Sequence, residues 1–285
     1  MILVDIGNSG LRAADANQLD WNKRVDRSRL YKLSWSSIGK EILKHQPQRF
    51  SLENNRWINP QQSDGFDWLV QQLHNQQPHR SKSHWRIASV NRTALESLQL
   101  AIHRNDPSAK IEVVDYKHSG IEVQVQFPER VGIDRILAAR AAVTWKQLHG
   151  YPNSPIIVVQ AGTALTVDLV DHNDVFQGGA ILPGAGLALQ YLAAGTDQLP
   201  WLPTESVHSL PALPGKNTEQ AIAAGVHASL VGGAKYLIDR YRESLPKIPA
   251  LISGGDGKLV QEHIPPPVAY VENLVLMGLT LCQLP

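Results

Sequence analysis

Met1-Ile-Leu-Val-Asp-Ile-Gly-Asn-Ser9 is an apolar run that stops at an acid, a glycine and two small polar residues. The run is too short for a helix, partly β-branched and apolar at both parities, which predicts a strand buried on both faces in the middle of a sheet. Gly7 permits a turn that other residues resist, and Asn8 and Ser9 bring backbone N–H groups and short side chains to it. Asp5 closes the strand at the same spot. Two readings fit these residues. One is a phosphate held by the amides, with its magnesium on the carboxylate directly or through water; the other is a plain turn with an Asx cap.

A second stretch repeats the pattern. Ile156-Ile-Val-Val-Gln-Ala-Gly-Thr-Ala-Leu-Thr-Val-Asp168 gives an apolar strand, a polar residue, a small residue, glycine, two small residues and then alternating apolar positions. Asp5 aligns with Gln160, Gly7 with Gly162 and Asn8 with Thr163. The copies lie too far apart for a tandem solenoid repeat, so the pattern reads as a duplicated domain. Two like domains, each offering a glycine turn to the cleft between them, would clamp a polyphosphate from both sides.

Composition sets the bounds. A chain of 285 residues that is 43% hydrophobic can form two domains with cores of their own. A net charge of +1, with Lys and Arg scattered, gives no electrostatic reason to expect nucleic acid or an acidic membrane as partner. The one cysteine, Cys282, excludes an internal disulfide and fits a reducing compartment; it reads as a small buried hydrophobe in the last helix. The N-terminal apolar run lacks the length, basic start and cleavage site of a signal peptide, and no segment is expected to reach membrane-spanning length. The cytosol is the expected location. The 11 histidines form no HxxH or HExxH pair, so no structural metal is expected.

Leu11-Arg-Ala-Ala14 reads as the returning strand of a hairpin, with Arg12 either leaning toward the turn or exposed. Residues 15–85 show weak helical periodicity at 36–43 and 66–73 and carry no functional motif, and the neighbourhood of His79 and His84 reads as a basic loop. Residues 85–90 and 111–114 read as strands around a helix at 93–102, an alternation that points to α/β layers. Residues 121–127 alternate strictly and predict a half-buried strand. Pro128-Glu-Arg-Val-Gly-Ile-Asp-Arg135 then opens into a helix at 136–145. Asp134 is there either an N-cap or a general base, kept ionised by the helix dipole and presented by the corner; the two roles are compatible. Arg135 beside it is suited to an anion.

Gly178-Gly-Ala-Ile-Leu-Pro-Gly184 lets backbones approach closely before a helix at 185–194. A proline-punctuated loop then delivers Gly215-Lys-Asn-Thr218 to a helix from about Glu219. Without a preceding strand and a first glycine this is no Walker loop, and Thr218 reads first as an N-cap and second as a ligand contact. Ala221, Ala223, Ala224, Gly225, Ala228, Gly232 and Gly233 suit that helix to tight packing, inside the chain or across a dimer. Leu251-Ile-Ser-Gly-Gly-Asp-Gly257 again runs a strand into a glycine turn, open enough for a flat base, and residues 271–281 read as a buried closing helix. No GxGxxG is completed, so a dinucleotide is not expected.

Six motifs in order carry a family resemblance: Asp-Ile-Gly-Asn-Ser at 5–9, Gly-Ile-Asp-Arg at 132–135, Ala-Gly-Thr-Ala at 161–164, the Gly178 to Gly184 run, Lys-Asn-Thr at 216–218 and Ser-Gly-Gly-Asp at 253–256. The chain resembles the type III pantothenate kinases, of the acetate and sugar kinase, heat-shock chaperone and actin superfamily, over nearly its whole length except residues 15–85. The resemblance implies an α/β fold of two similar ribonuclease H-like or actin-like domains, at 1–115 and 116–285. Each would be a mixed sheet flanked by helices, with the active site in the cleft between them. It implies transfer of the γ-phosphoryl of ATP to the hydroxyl of pantothenate, giving 4′-phosphopantothenate, the first step toward coenzyme A. By position, Asp134 would be the base and Asp5 would serve magnesium. Asp5, Ile6, Gly7, Asn8, Ser9, Gly10, Leu11, Arg12, Gly162 and Thr163 would surround the ATP phosphates. Gly132, Ile133, Asp134, Arg135 and Thr218 would meet pantothenate, Thr218 from its own chain or from the partner in a homodimer.

Two residues depart from the family pattern. Gln160 stands where the family carries an aspartate for a monovalent cation, potassium or ammonium, which puts cation dependence in question. Val125 stands where a substrate-touching tyrosine is usual, and Phe127 is the candidate to fill its place. The competing readings are a non-catalytic accessory relative and another small-molecule kinase of the superfamily; the intact Asp5 and Asp134 favour the enzyme.

Overall fold

The computed structural model describes residues 1–19, 30–34, 64–75, 83–209 and 212–283; the helical periodicity at 36–43 and His79 lie outside them. The chain divides into two compact units, one made of Met1–Gly120, Gly132–Leu137 and Val275–Pro285 and the other of Ile121–Val131 and Ala138–Leu274. The first unit takes up the chain again at 132–137 and at 275–285.

The first unit is built on a five-stranded sheet of β1 (Ile2–Ile6), β2 (Gly10–Asp15), β3 (Tyr31–Ser34), β4 (His84–Ser89) and β5 (Lys110–Val113) in the order β3-β2-β1-β4-β5. β1 is buried along its whole length, as its apolar parity predicts. It pairs antiparallel with β2 and parallel with β4. One face of the sheet, with Ile2, Val4, Ile6, Leu11, Ala13, Trp85 and Ile87, packs against α1 (Asp64–Asn75) and α2 (Arg92–Asn105). α1 offers Phe66, Leu69, Val70 and Leu73, the spacing of one helical face, so its weak periodicity was sufficient. Asn91 caps α2 by accepting from the Ala94 N–H at 3.1 Å.

The second unit repeats this plan. β6 (Ile156–Ala161), β7 (Ala164–Val170), β8 (Phe176–Pro183), β9 (Ala250–Ser253) and β10 (Val268–Tyr270) lie in the order β8-β7-β6-β9-β10, the same order counted from the central strand. The orientations repeat as well, β6 being antiparallel to β7 and parallel to β9. Its core joins Ile157, Val159, Ala161, Leu165, Val167, Ala250 and Ile252 to Leu189 of α4 (Ala185–Ala194), to α5 (Thr218–Ser244) and to Val260 of α6 (Gly257–Gln261). α3 (Ile133–Leu148) precedes this sheet and α7 (Leu274–Thr280) closes the chain.

Four expectations need correction. Residues 121–127 do alternate between half-buried and exposed, but their sheet pairing is a single bridge, Val123 to Phe176; the alternation reports a chain lying along the rim of β8, not a strand. The helix at 218–244 has 27 residues and is long and apolar enough to cross a membrane by composition, contrary to the expectation of no such segment. Its apolar positions Ile222, Val226, Leu230, Ala234 and Ile238 recur every fourth residue and are buried in the second core, as in a core helix of a folded domain. Its cap is Asn217, which accepts from the Gln220 N–H at 2.8 Å, and Thr218 is the first helical residue. Cys282 is buried as expected but lies beyond the end of α7.

Candidate active site

Around the first glycine turn, the Gly7 N–H donates to the Gly10 carbonyl at 2.8 Å and closes the loop between Ile6 and Leu11, which face each other across the hairpin. Asn8 and Ser9 at its tip are exposed. A Cβ on Gly7 would meet the Gly10 carbonyl at 3.5 Å, an ordinary contact, so the turn itself does not force glycine, contrary to the sequence expectation. Asp5 sits one residue below the turn, only 7% exposed, opposite Arg12 on β2. Arg12 Nη1 approaches Asp5 Oδ2 at 3.6 Å. Burial pushes the Asp5 carboxyl up to about 6; Arg12 pulls it down, and the negative charge of Asp134 pushes it up further.

That last contribution places Asp134 within electrostatic reach of Asp5, and both belong to the first unit. Asp134 is the second residue of α3, and its Oδ1 accepts from the Arg135 N–H at 2.9 Å. The helix start thus supplies both a donor and the positive end of a dipole to this carboxylate. Gly132 precedes the helix, and a Cβ there would lie 2.5 Å from Asp134 Oδ1. The glycine in this motif therefore makes room for the carboxylate in its present position.

The second glycine turn, in the second unit, is tighter. Its end pairs are Ala161 with Leu165 and Gln160 with Thr166, and the Gly162 N–H donates to the Ala164 carbonyl at 3.0 Å. Thr163 at its tip is exposed. Two glycines that were not among the predicted site residues press against this turn. A Cβ on Gly184 would stand 2.0 Å from the Gly162 carbonyl oxygen, and one on Gly254, whose φ is +102°, would stand 2.1 Å from the Ala161 carbonyl oxygen. The Gly184 N–H bonds the Thr163 carbonyl at 3.0 Å and the Asp256 N–H bonds the Ala161 carbonyl at 3.1 Å. The strand-to-helix glycine at 184 and the Ser-Gly-Gly-Asp turn are thus fastened to the second turn from two sides. His208 is a further residue here that sequence reasoning missed: its Nε2 lies 2.9 Å from Asp256 Oδ1, and the Asp256 side chain makes no capping bond to α6.

Of the remaining predicted residues, Ile133 and Arg135 belong to the first turn of α3 in the first unit, and Thr218 is exposed at the start of α5 in the second. Val125 packs its Cγ1 over Gly178, 3.3 Å from where a Cβ would be. Phe127 is exposed, with the Arg130 guanidinium 4.5 Å above its ring. Among the described residues no cluster of three His, Cys, Asp or Glu side chains is present. A magnesium ion fits this chemistry all the same, because it needs only one or two carboxylates when substrate phosphates and water complete its shell, and the nearly enclosed Asp5 carboxylate gains from a cation.

Two α/β units with the same strand order, the first with a buried Asp5 below its glycine turn, define the class. A solved structure with the same fold is a Campylobacter jejuni protein placed in the Baf family of transcriptional activators, at a TM-score of 0.52 and 20% identity over 99% of this chain and 96% of that one. The family model for type III pantothenate kinase matches residues 32–240. A type III pantothenate kinase of Rhodopirellula baltica is 38% identical over 202 residues, 70% of this chain and 71% of that protein. Another, of Synechococcus sp. strain JA-3-3Ab, is 36% identical over 156 residues, covering 54% of this chain and 62% of that one. The chain belongs to the type III pantothenate kinase family.

Proposed function

We propose that the chain transfers the γ-phosphoryl group of ATP to the hydroxyl of pantothenate, yielding ADP and 4′-phosphopantothenate for coenzyme A synthesis. The observation that carries this reading is the presence, in one unit, of a buried Asp5 below the first glycine turn and of Asp134 at the start of α3. Phosphoryl transfer asks a protein chiefly for positioning and charge compensation. Asp134, held by the Arg135 N–H, takes the proton of the attacking hydroxyl. As that oxygen bonds to the γ-phosphorus, the bond to the β,γ-bridging oxygen breaks and ADP leaves. Asn8 and Ser9 at the tip of the first turn offer donors to the phosphates, and Arg12 adds a cation. Magnesium on Asp5 would neutralise charge on the polyphosphate as it develops.

Pantothenate would meet Gly132, Ile133 and Arg135, and the active form would be a homodimer. Gly225, Ala228 and Gly232 lie on exposed turns of α5, followed by Tyr236 at 64% exposure, which leaves an apolar, small-residue stripe for a second copy. Gln160 in place of a carboxylate would leave a potassium or ammonium ion weakly held, since such an ion depends on full negative charge. A coupled assay of ADP release with and without pantothenate tests the activity: release that does not depend on pantothenate would exclude it.

A further inference from the structure

The duplication supplies a control for the Asp5 and Arg12 pair. In the first hairpin the register sets Asp5 opposite Arg12; at the equivalent register of the second hairpin Gln160 stands opposite Thr166, an uncharged pair. Both hairpins occupy the same place in the same strand order. An ion pair at this register is therefore not a requirement of the fold. Nor is it closely made, since 3.6 Å exceeds hydrogen-bond length and the Arg12 side chain is 29% exposed while that of Asp5 is nearly enclosed. Asp5 is left nearly enclosed, with the Arg12 guanidinium beside it but beyond hydrogen-bond length.

We propose that Arg12 holds the place of the divalent cation in the ligand-free chain, refusing free metal and releasing Asp5 only when metal arrives with a polyphosphate. The inference rests on the phosphotransfer reading in taking Asp5 as the metal carboxylate. A hydrated divalent cation coming alone meets the fixed guanidinium charge next to its seat and is repelled. A metal carried by a polyphosphate brings surplus negative charge, which offsets that repulsion. It also brings phosphoryl oxygens that the planar guanidinium binds in bidentate fashion, better than it binds Asp5 at its present distance. Arg12 then exchanges Asp5 for phosphate, and Asp5 becomes free to hold the metal. The device orders the binding events: nucleotide and metal enter together, and the buried carboxylate is never without a countercharge.

Mn2+ titrations test this, with the free hexaaquo ion followed by electron paramagnetic resonance, on the full chain alone and with a non-hydrolysable ATP analogue. Arg12→Thr copies the residue that the second hairpin carries at this register, and Arg12→Lys keeps the charge. Without nucleotide, wild type and Arg12→Lys should bind Mn2+ weakly, and Arg12→Thr at least about tenfold more tightly, since a like charge has been removed from beside the site. With the analogue bound, the gap between wild type and Arg12→Thr should close. Equal affinities of wild type and Arg12→Thr for free Mn2+ would overturn the proposal, as would Arg12→Lys binding as tightly as Arg12→Thr. Circular dichroism verifies the fold, and Arg12→Gln, longer and neutral, replaces Arg12→Thr if the latter does not fold. Pantothenate takes no part in these titrations, so a chain that binds metal as described but does not phosphorylate pantothenate would sink the substrate reading alone.

Discussion

Replacing Asp5 by asparagine should make the ligand-free protein more stable while abolishing its activity. The Asp5 carboxyl titrates at about 6 in the folded chain against 3.8 for the unperturbed group, mainly because it is buried. Below about pH 4 it is protonated in both folded and unfolded states and carries no penalty. As pH rises toward 6, the unfolded chain ionises first and stability is lost, because the folded state binds the extra proton. Above 6 the full cost stands, on the order of 3 kcal/mol from a shift of about two units at 1.36 kcal/mol per unit. The neutral amide of Asp5→Asn would resemble the protonated acid at every pH. The variant should therefore exceed wild type by about 3 kcal/mol at pH 8, roughly 6–12 °C in melting temperature, with the difference fading toward pH 4. Calorimetry of both proteins without nucleotide or metal, at pH 4, 5, 6, 7 and 8, measures this, and taking the difference cancels groups common to both. A variant less stable than wild type at pH 8, or a difference that does not change with pH, would refute the reasoning.

Other outcomes follow from single contacts. Gly132→Ala should fold with little change in melting temperature, because the only close clash is with the end of the Asp134 side chain at 2.5 Å; displacing that carboxylate should lower kcat by about tenfold or more. A stable variant with wild-type kcat would detach Gly132 from the placement of Asp134. Titrating potassium at constant ionic strength should activate wild type weakly and Gln160→Asp more strongly, and strong activation of wild type that the substitution leaves unchanged would contradict the role given to Gln160. Light scattering at micromolar concentration should give the mass of a dimer; a fully active monomer would remove any contribution of a partner chain to the site.

Much of the fold was legible because its signals are local. The apolar run before Asp5 and its echo before Gly162 are each a strand and a turn, and their alignment anticipates two sheets with the same strand order. What escaped depends on distant partners. The Gly178 to Gly184 run announces a close backbone approach, but that Gly184 and Gly254 press on the carbonyls of Gly162 and Ala161 depends on partners distant in the chain. His208 finds Asp256 across 48 residues. Residues 121–127 carry the parity of a strand, but only Phe176 offers them a bridge. The role expected of Gly7 failed for the opposite reason: its neighbours leave ordinary space for a Cβ. At Asn217 and Thr218 two capping residues stand side by side, and propensity alone does not choose between them.

The most direct test of the central claim is ADP release by wild type and by Asp134→Asn, each with and without pantothenate at saturating magnesium and ATP. Asparagine keeps the size of the side chain and an oxygen to accept from the Arg135 N–H, but it cannot take a proton. The expected result is pantothenate-dependent release by wild type and a kcat lowered by roughly a hundredfold or more in a variant that still binds both substrates. Turnover by Asp134→Asn at the wild-type rate would leave Asp134 as a feature of the helix start alone and would contradict the proposed chemistry.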